Sequence, residues 1–169
     1  MLKQGKYLGY EWQIHLNDLG CKCGYIIIDK RHPWYGKHYT DLNLDIHGGI
    51  TYSKPENNNW RLGFDCGHCF DLPDPGYEQA YHKLLKEAGA TNKSIEYVEE
   101  QCKSLCEQAW AYEKVIFDYK FKAVFVLLNI TLLFVHGLWW QKLIAIIVFT
   151  TLYYLADHFD KRKKEAILI

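Results

Sequence analysis

No excess of either charge marks this chain. Lys+Arg 20 against Asp+Glu 20 leaves a formal net charge of zero, which excludes the strongly basic surface of a nucleic-acid coat, so nucleic acid is not an expected partner. Met1-Leu2-Lys3-Gln4-Gly5-Lys6-Tyr7 lacks the apolar core of a secretory signal, and the front of the chain is therefore expected in the cytosol. Internal repeats and low-complexity tracts are missing. So are the GxSxG, HExxH, P-loop and GxGxxG patterns, which leaves any enzymatic reading without a recognised signature and favours a protein that is not an enzyme.

What is present divides the chain in two, although a mean hydropathy of -0.24 conceals it. Before Phe117 there are 13 basic and 16 acidic residues, and after it 7 basic and 4 acidic. Ala123 to Trp139 and Leu143 to Ala156 carry no formal charge and read as two helices joined at Gln141-Lys142. At ~1.5 Å per residue each run covers roughly 21 to 26 Å, a lean match to a hydrocarbon core of about 30 Å, with Trp139, Trp140, Tyr153 and Tyr154 at the interfaces. The expectation is a C-terminal transmembrane hairpin over 118–164, with spans at about 123–139 and 143–159 and a basic tail to 169. Lys120 and Lys122 on one side and Lys161, Arg162, Lys163 and Lys164 on the other place both termini in the cytoplasm and the protein in the inner (cytoplasmic) membrane. Asn129, Thr131 and His136 inside the first run suggest helix pairing or homo-oligomerisation through the hairpin. The alternative, a hairpin buried in protein, needs apolar surface that the first 117 residues do not supply.

Residues 1–117 read as a cytosolic α+β domain, a small antiparallel β-meander packed with helices. Tyr25-Ile26-Ile27-Ile28 is a β-branched run, Leu42-Asn43-Leu44-Asp45-Ile46 and Trp60 to Asp65 alternate, and Ile50-Thr51-Tyr52 follows Gly48-Gly49, a pair suited to a tight hairpin. Lys54-Pro55-Glu56-Asn57-Asn58-Asn59 reads as a longer turn. A short helix is predicted over Tyr77 to Ala88, ended by Gly89, and a longer one capped by Ser94, whose Ile95, Val98, Cys102, Leu105, Ala109, Tyr112, Ile116 and Tyr119 form one stripe. Cys102 and Cys106, one turn apart, belong to packing.

Strand parity locates the candidate chemistry. If Leu42, Leu44 and Ile46 face the core, then Asn43, Asp45 and His47 face away, and likewise Arg61, Gly63 and Asp65 oppose Trp60, Leu62 and Phe64. Cys66-Gly67-His68-Cys69-Phe70-Asp71 follows at once, gathering carboxylate, imidazole and thiol groups at one strand end. Three readings compete there. A metal site can draw on Cys21, Cys23, Cys66 and Cys69 as zinc thiolates, although a CxC half is tighter than the usual knuckle, or on His47, Asp65, His68 and Asp71 as a harder, catalytic set. A hydrolytic site would use His47 or His68 as base or acid with Asp65 or Asp71 orienting it or holding a divalent ion. A recognition pocket would use His47, Asp65, His68, Arg61 and Tyr52 on a polar small molecule, with Trp34, Tyr35 and Trp60 for stacking. Beside these stands a plain structural role, in which the aspartates cap turns, the histidines make ordinary hydrogen bonds and the cysteines fill space. Disulfides are disfavoured in a reducing compartment.

At Gly24-Tyr25, Arg31-His32-Pro33-Trp34-Tyr35-Gly36-Lys37, His47-Gly48-Gly49-Ile50-Thr51-Tyr52-Ser53 and Gly63-Phe64-Asp65-Cys66-Gly67-His68, the chain resembles a family of small phage- and prophage-encoded proteins. The likeness covers roughly residues 20–75. That family carries Gly-His-Pro-x-Tyr-Gly-Lys, His-Gly-Gly-Leu-Thr-Tyr and Gly-Phe-Asp-x-Ala-His stretches, the last soon followed by Gly-Asp. Here Arg31 replaces the first Gly, Ile50 the Leu, Gly67 the Ala and Phe70 the Gly before Asp71. The resemblance brings forward His32, His47, Asp65, His68 and Asp71 and leaves the Cys66/Cys69 pair outside the shared pattern, which weakens the thiolate reading. It implies a phage setting such as host takeover, superinfection exclusion or interference with defence, and it implies no particular activity. The expected function is thus a membrane-anchored recognition protein, with the lipid bilayer as one partner and a polar small molecule, nucleotide-like among others, or a host protein as ligand. A metal-dependent hydrolase and a membrane effector whose hairpin oligomerises or permeabilises are the alternatives.

Overall fold

A computed structural model describes residues 1–134 together with residues 143, 146–148, 150, 151 and 154. It falls into two compact units, Met1–Glu113 and Lys114–Ile169. The first is built on a five-stranded antiparallel sheet of order β1-β2-β3-β5-β4. Its strands are β1 (Lys3–Tyr7), β2 (Tyr10–Leu16), β3 (Lys22–Ile28), β4 (Tyr52–Glu56) and β5 (Asn59–Asp65). Two hairpins turn on two residues each, Leu8-Gly9 with φ of 49° and 92° and Asn57-Asn58 with φ of 47° and 65°, the doubly positive geometry that matches strand twist. The cluster around Asn57 is therefore a tight turn, and Pro55 lies inside β4.

Alternation puts Trp12 and Ile14, Ile26 and Ile28, and Leu62 and Phe64 on one face, all at most 4% exposed. Helix α2 begins at Ile95 and runs to Phe134; Ser94 Oγ accepts the Tyr97 amide at 3.1 Å, as the sequence expects of a cap. Its Val98, Cys102, Leu105, Cys106 and Ala109 join the same core as the sheet residues. Gly24 leaves room for the helix against the sheet: a Cβ there would fall 2.4 Å from Phe64 and 2.7 Å from Cys102 Sγ. Burial pushes the Cys102 and Cys106 thiols up to about 12, so both are neutral packing groups.

The connection from Asp29 to Thr51 is not the strand that Leu42 to Ile46 suggested. Its apolar residues still turn inward, with Ile46 buried and Leu42 and Leu44 against the core. Its backbone finds partners on α2 instead of on a neighbouring strand: Gln108 Oε1 accepts the Asp45 amide at 3.0 Å, Gln108 Nε2 donates to the Asp45 carbonyl at 2.8 Å, and Gln101 Oε1 accepts the His47 amide at 2.9 Å. Glutamine side chains have replaced a ladder.

Earlier in the same connection, His32 Nδ1 accepts the Trp34 amide at 3.0 Å, so Nε2 carries the hydrogen and donates to the Ala109 carbonyl at 3.1 Å. The ring is neutral, and burial holds its pKa below the ordinary histidine value. Unfolded histidine titrates near 6.5, so this contribution is complete above about pH 6.5 and is lost as pH falls below it. Wild-type urea midpoints should drop between pH 7.5 and 5.5, and His32→Asn should flatten that slope. His15, shifted down by burial and Arg61, acts in the same direction. An unchanged slope in the variant would reassign the effect to His15.

Beyond β5 lie β6 (Asp71–Leu72), helix α1 (Ala80–Glu87) and β7 (Thr91–Asn92), with β6 and β7 paired in parallel. Lys22, at the start of β3 and 6% exposed, bonds Asp74 and reaches Asn92 Oδ1 at 3.0 Å, pinning this small ribbon to the main sheet.

The second unit corrects the membrane expectation. Among the described residues no helix is long and apolar enough to cross a membrane. Charged Lys114, Asp118, Lys120 and Lys122 lie along α2 before Ala123, and residues 135–139 of the expected first span lie outside the described residues. The expected transmembrane hairpin and inner-membrane placement are therefore not supported. The turn at Gln141-Lys142, most of the span at 143–159 and the tail to 169 lie outside the described residues. Within this unit Phe117 and Phe121 stack at 6.4 Å, and Lys122 pairs with Asp118 at 2.6 Å.

Candidate functional site

Two turns bring the site together. Gly48 and Gly49, with φ of 64° and 82°, let the chain reverse after Ile46, and the Gly49 amide closes on the Ile46 carbonyl at 2.9 Å. After β5, the Asp71 amide donates to the His68 carbonyl at 2.9 Å, and the Asp71 carboxylate reaches back to accept the His68 amide at 3.1 Å. The two turns touch. Gly48 leaves room for the His68 ring, because a Cβ at that position would lie 1.6 Å from His68 Nε2.

Asp71 is the hub. Its side chain is 2% exposed, and Oδ2 accepts from His47 Nε2 at 2.7 Å while Oδ1 pairs with Lys93 Nζ at 3.2 Å. Burial works to raise its pKa, yet the bonds from His47, the His68 amide and Lys93 outweigh it and hold the carboxyl below the usual carboxylate range. An ionised Asp71 cannot donate, so the hydrogen belongs to His47 Nε2. The other His47 nitrogen, Nδ1, meets the Tyr97 hydroxyl at 3.0 Å. The His47 and His68 rings lie 5.4 Å apart, and His68 Nε2 is buried without a hydrogen-bond partner among the described residues. Among those residues, His47, His68 and Asp71 are the His, Cys, Asp or Glu group of three whose ligand atoms lie close enough to share an ion, all within 4.8 Å of one another.

His68 and Asp71 also form part of the wall of a pocket of about 400 Å³. Asn17 and Asp18 come from the β2–β3 turn, Asp65 from the end of β5, and Tyr77, Tyr81 and His82 from around the start of α1. No protein-family model, curated protein or solved structure matches this chain.

The remaining expected residues separate. Asp65 lies on the pocket wall, engaged by the Thr51 hydroxyl at 2.7 Å and the Gly67 amide at 3.0 Å. Arg61 and Tyr52 belong to another cluster: the guanidinium sits 5.0 Å over the Tyr25 ring and binds Gln13 Oε1 at 2.6 Å, and Tyr25 packs on Tyr52 at 5.3 Å. Trp34 is a core residue, and Tyr35 meets Trp60 at 5.8 Å, away from the pocket lining. All four thiols considered for zinc are free; Cys23 and Cys66 are buried, Cys21 is half-buried and Cys69 is exposed. Burial drives the Cys66 thiol up to about 12, and burial with the nearby Asp65, Asp71 and Asp74 charges also raises Cys21.

Sequence reasoning missed Tyr97, Gln101 and Lys93. For the first two a signal exists, since Tyr97, Gln101, Ser104 and Gln108 recur at helical spacing as a polar stripe. Lys93 carries none; the β6–β7 pairing alone brings it to Asp71.

Proposed function

We propose that the first unit is a recognition domain that binds a small polar ligand in the pocket beside His68, and that the ligand is rich in hydrogen-bond donors or positively charged. The observation that carries this reading is the lining itself: Asp18 and Asp65 supply carboxylates, Asn17 an amide, and no lysine or arginine stands among the described lining residues. Such a wall attracts an ammonium or guanidinium group and repels a polyphosphate. Tyr77 and Tyr81, about half exposed, offer ring faces to the ligand's apolar part or to its cation.

The test is a thermal-shift series on chelator-treated protein, with agmatine, arginine and putrescine set against mononucleotides. A ligand at 100 times its Kd stabilises the folded state by about 2.7 kcal/mol, so the amines should raise the midpoint by several degrees, and Asp65→Asn should abolish the rise. A response to nucleotides alone would reverse the ligand class. No response to any of them at saturating concentration would remove the recognition reading.

A further inference from the structure

We propose that His47, His68 and Asp71 form a binding site for one divalent transition-metal ion of the zinc type. This does not depend on the ligand reading above, because it is measured with the pocket empty. Two imidazoles and one carboxylate are the donor set of three-ligand zinc and related sites, and nitrogen donors favour such ions over magnesium or calcium. Ligand atoms already lie within 4.8 Å of one another, and a shared zinc-type ion would sit about 2.0–2.2 Å from each.

The surroundings are those a metal site requires. Coordinating histidines are oriented through their second nitrogen, and His47 Nδ1 has the Tyr97 hydroxyl at 3.0 Å. The second oxygen of Asp71 is held by Lys93 at 3.2 Å. His68 is set by contact with Gly48, where only glycine fits, and its buried Nε2 has no hydrogen-bond partner among the described residues. That is a lone pair or hydrogen kept from water with nothing to satisfy it, which an ion would explain.

Loading balances simply. An ion entering between His47 Nε2 and Asp71 Oδ2 displaces their shared hydrogen; the ring coordinates as a neutral imidazole with its one remaining hydrogen at Nδ1, facing the Tyr97 oxygen, and any further proton leaves to solvent. Three protein ligands leave a coordination position open, and because His68 and Asp71 line the pocket, a water there would be a metal-bound one. The hydrolytic reading of this site stands or falls with the ion.

The full chain, stripped with chelator and dialysed against Zn²⁺ alone, should retain one zinc per chain by elemental analysis after gel filtration. With Co²⁺, the visible spectrum should be that of nitrogen and oxygen ligation, without the intense near-ultraviolet band of a cobalt–thiolate bond. His68→Ala and His47→Gln should each lower retained zinc at least tenfold while leaving the circular dichroism intact. Substoichiometric zinc in the wild type, a thiolate band, or full retention in both variants would overturn the proposal. The first and second of these need no variant, so misfolding of a mutant cannot shield it.

Discussion

Replacing Trp34 with alanine lowers the free energy of unfolding by about 3–5 kcal/mol, the range for truncating a buried aromatic. Trp34 is 2% exposed, belongs to the core cluster, and its ring lies 5.1 Å from His32 and 5.5 Å from Tyr112, within the connection from Asp29 to Thr51. That connection delivers His47. The loss should therefore appear twice, as a lower urea midpoint and, below the transition, as weaker zinc retention. Trp34→Phe should recover much of the stability by refilling most of the volume. A cost under about 1 kcal/mol for the alanine variant would mean that the connection is held by its glutamine bonds to α2 and not by this ring.

Removing the hub of the site comes next in size. Asp71→Ala strands His47 Nε2, the His68 amide and Lys93 at once, and should cost about 3 kcal/mol, the upper end for bonds to a charged group, with side-chain exposures of 16% for His47 and 23% for Lys93 allowing water to relieve part of it. Asp71→Asn keeps the shape and one acceptor, and should cost about half as much while still abolishing metal retention. Equal losses in the two variants would show that hydrogen-bond geometry contributes nothing beyond the charge. The same residue sets an acid limit. Its pKa is depressed in the folded state, so its contribution is complete above about pH 4, where the unfolded carboxyl is also ionised, and disappears as pH falls through the lower folded value. Wild type and Asp71→Ala stabilities should converge there, as urea titrations at pH 2 to 5 would read out.

The legible and illegible parts of this chain differ by the range of the interaction involved. The stripe Val98, Cys102, Leu105 and Ala109 and the alternation of Leu62 and Phe64 are local patterns, and both sets are buried. Glu11 to Leu16 alternates as strictly as Trp60 to Asp65 and forms β2, yet polar Lys3 to Tyr7 shows no pattern, because β1 is half solvated and takes its register from its neighbour. Leu42 to Ile46 alternates and is no strand, since alternation reports which side chains turn inward and not what satisfies the backbone. At the site, His47, His68 and Asp71 were visible as residues, and strand parity suggested their neighbourhood by a strand that does not exist. The Gly48-Gly49 turn and the pairing of Gln101 with the His47 amide carry His47 there instead. The membrane expectation rested on a count of uncharged residues, and among the described residues no helix is long and apolar enough to cross a membrane.

The outermost strands have a bearing on self-assembly. Glu56 and Asn59 close the β4–β5 hairpin and Pro55 faces Trp60, so position 55 points its main-chain nitrogen away from β5, where an incoming strand would seek a donor and meet a pyrrolidine ring. On the opposite rim, Lys6 places an exposed charge in the path of a second copy. Growth of the sheet from molecule to molecule, the first step toward a fibril, is thereby discouraged at both borders by two residues that take no part in the core.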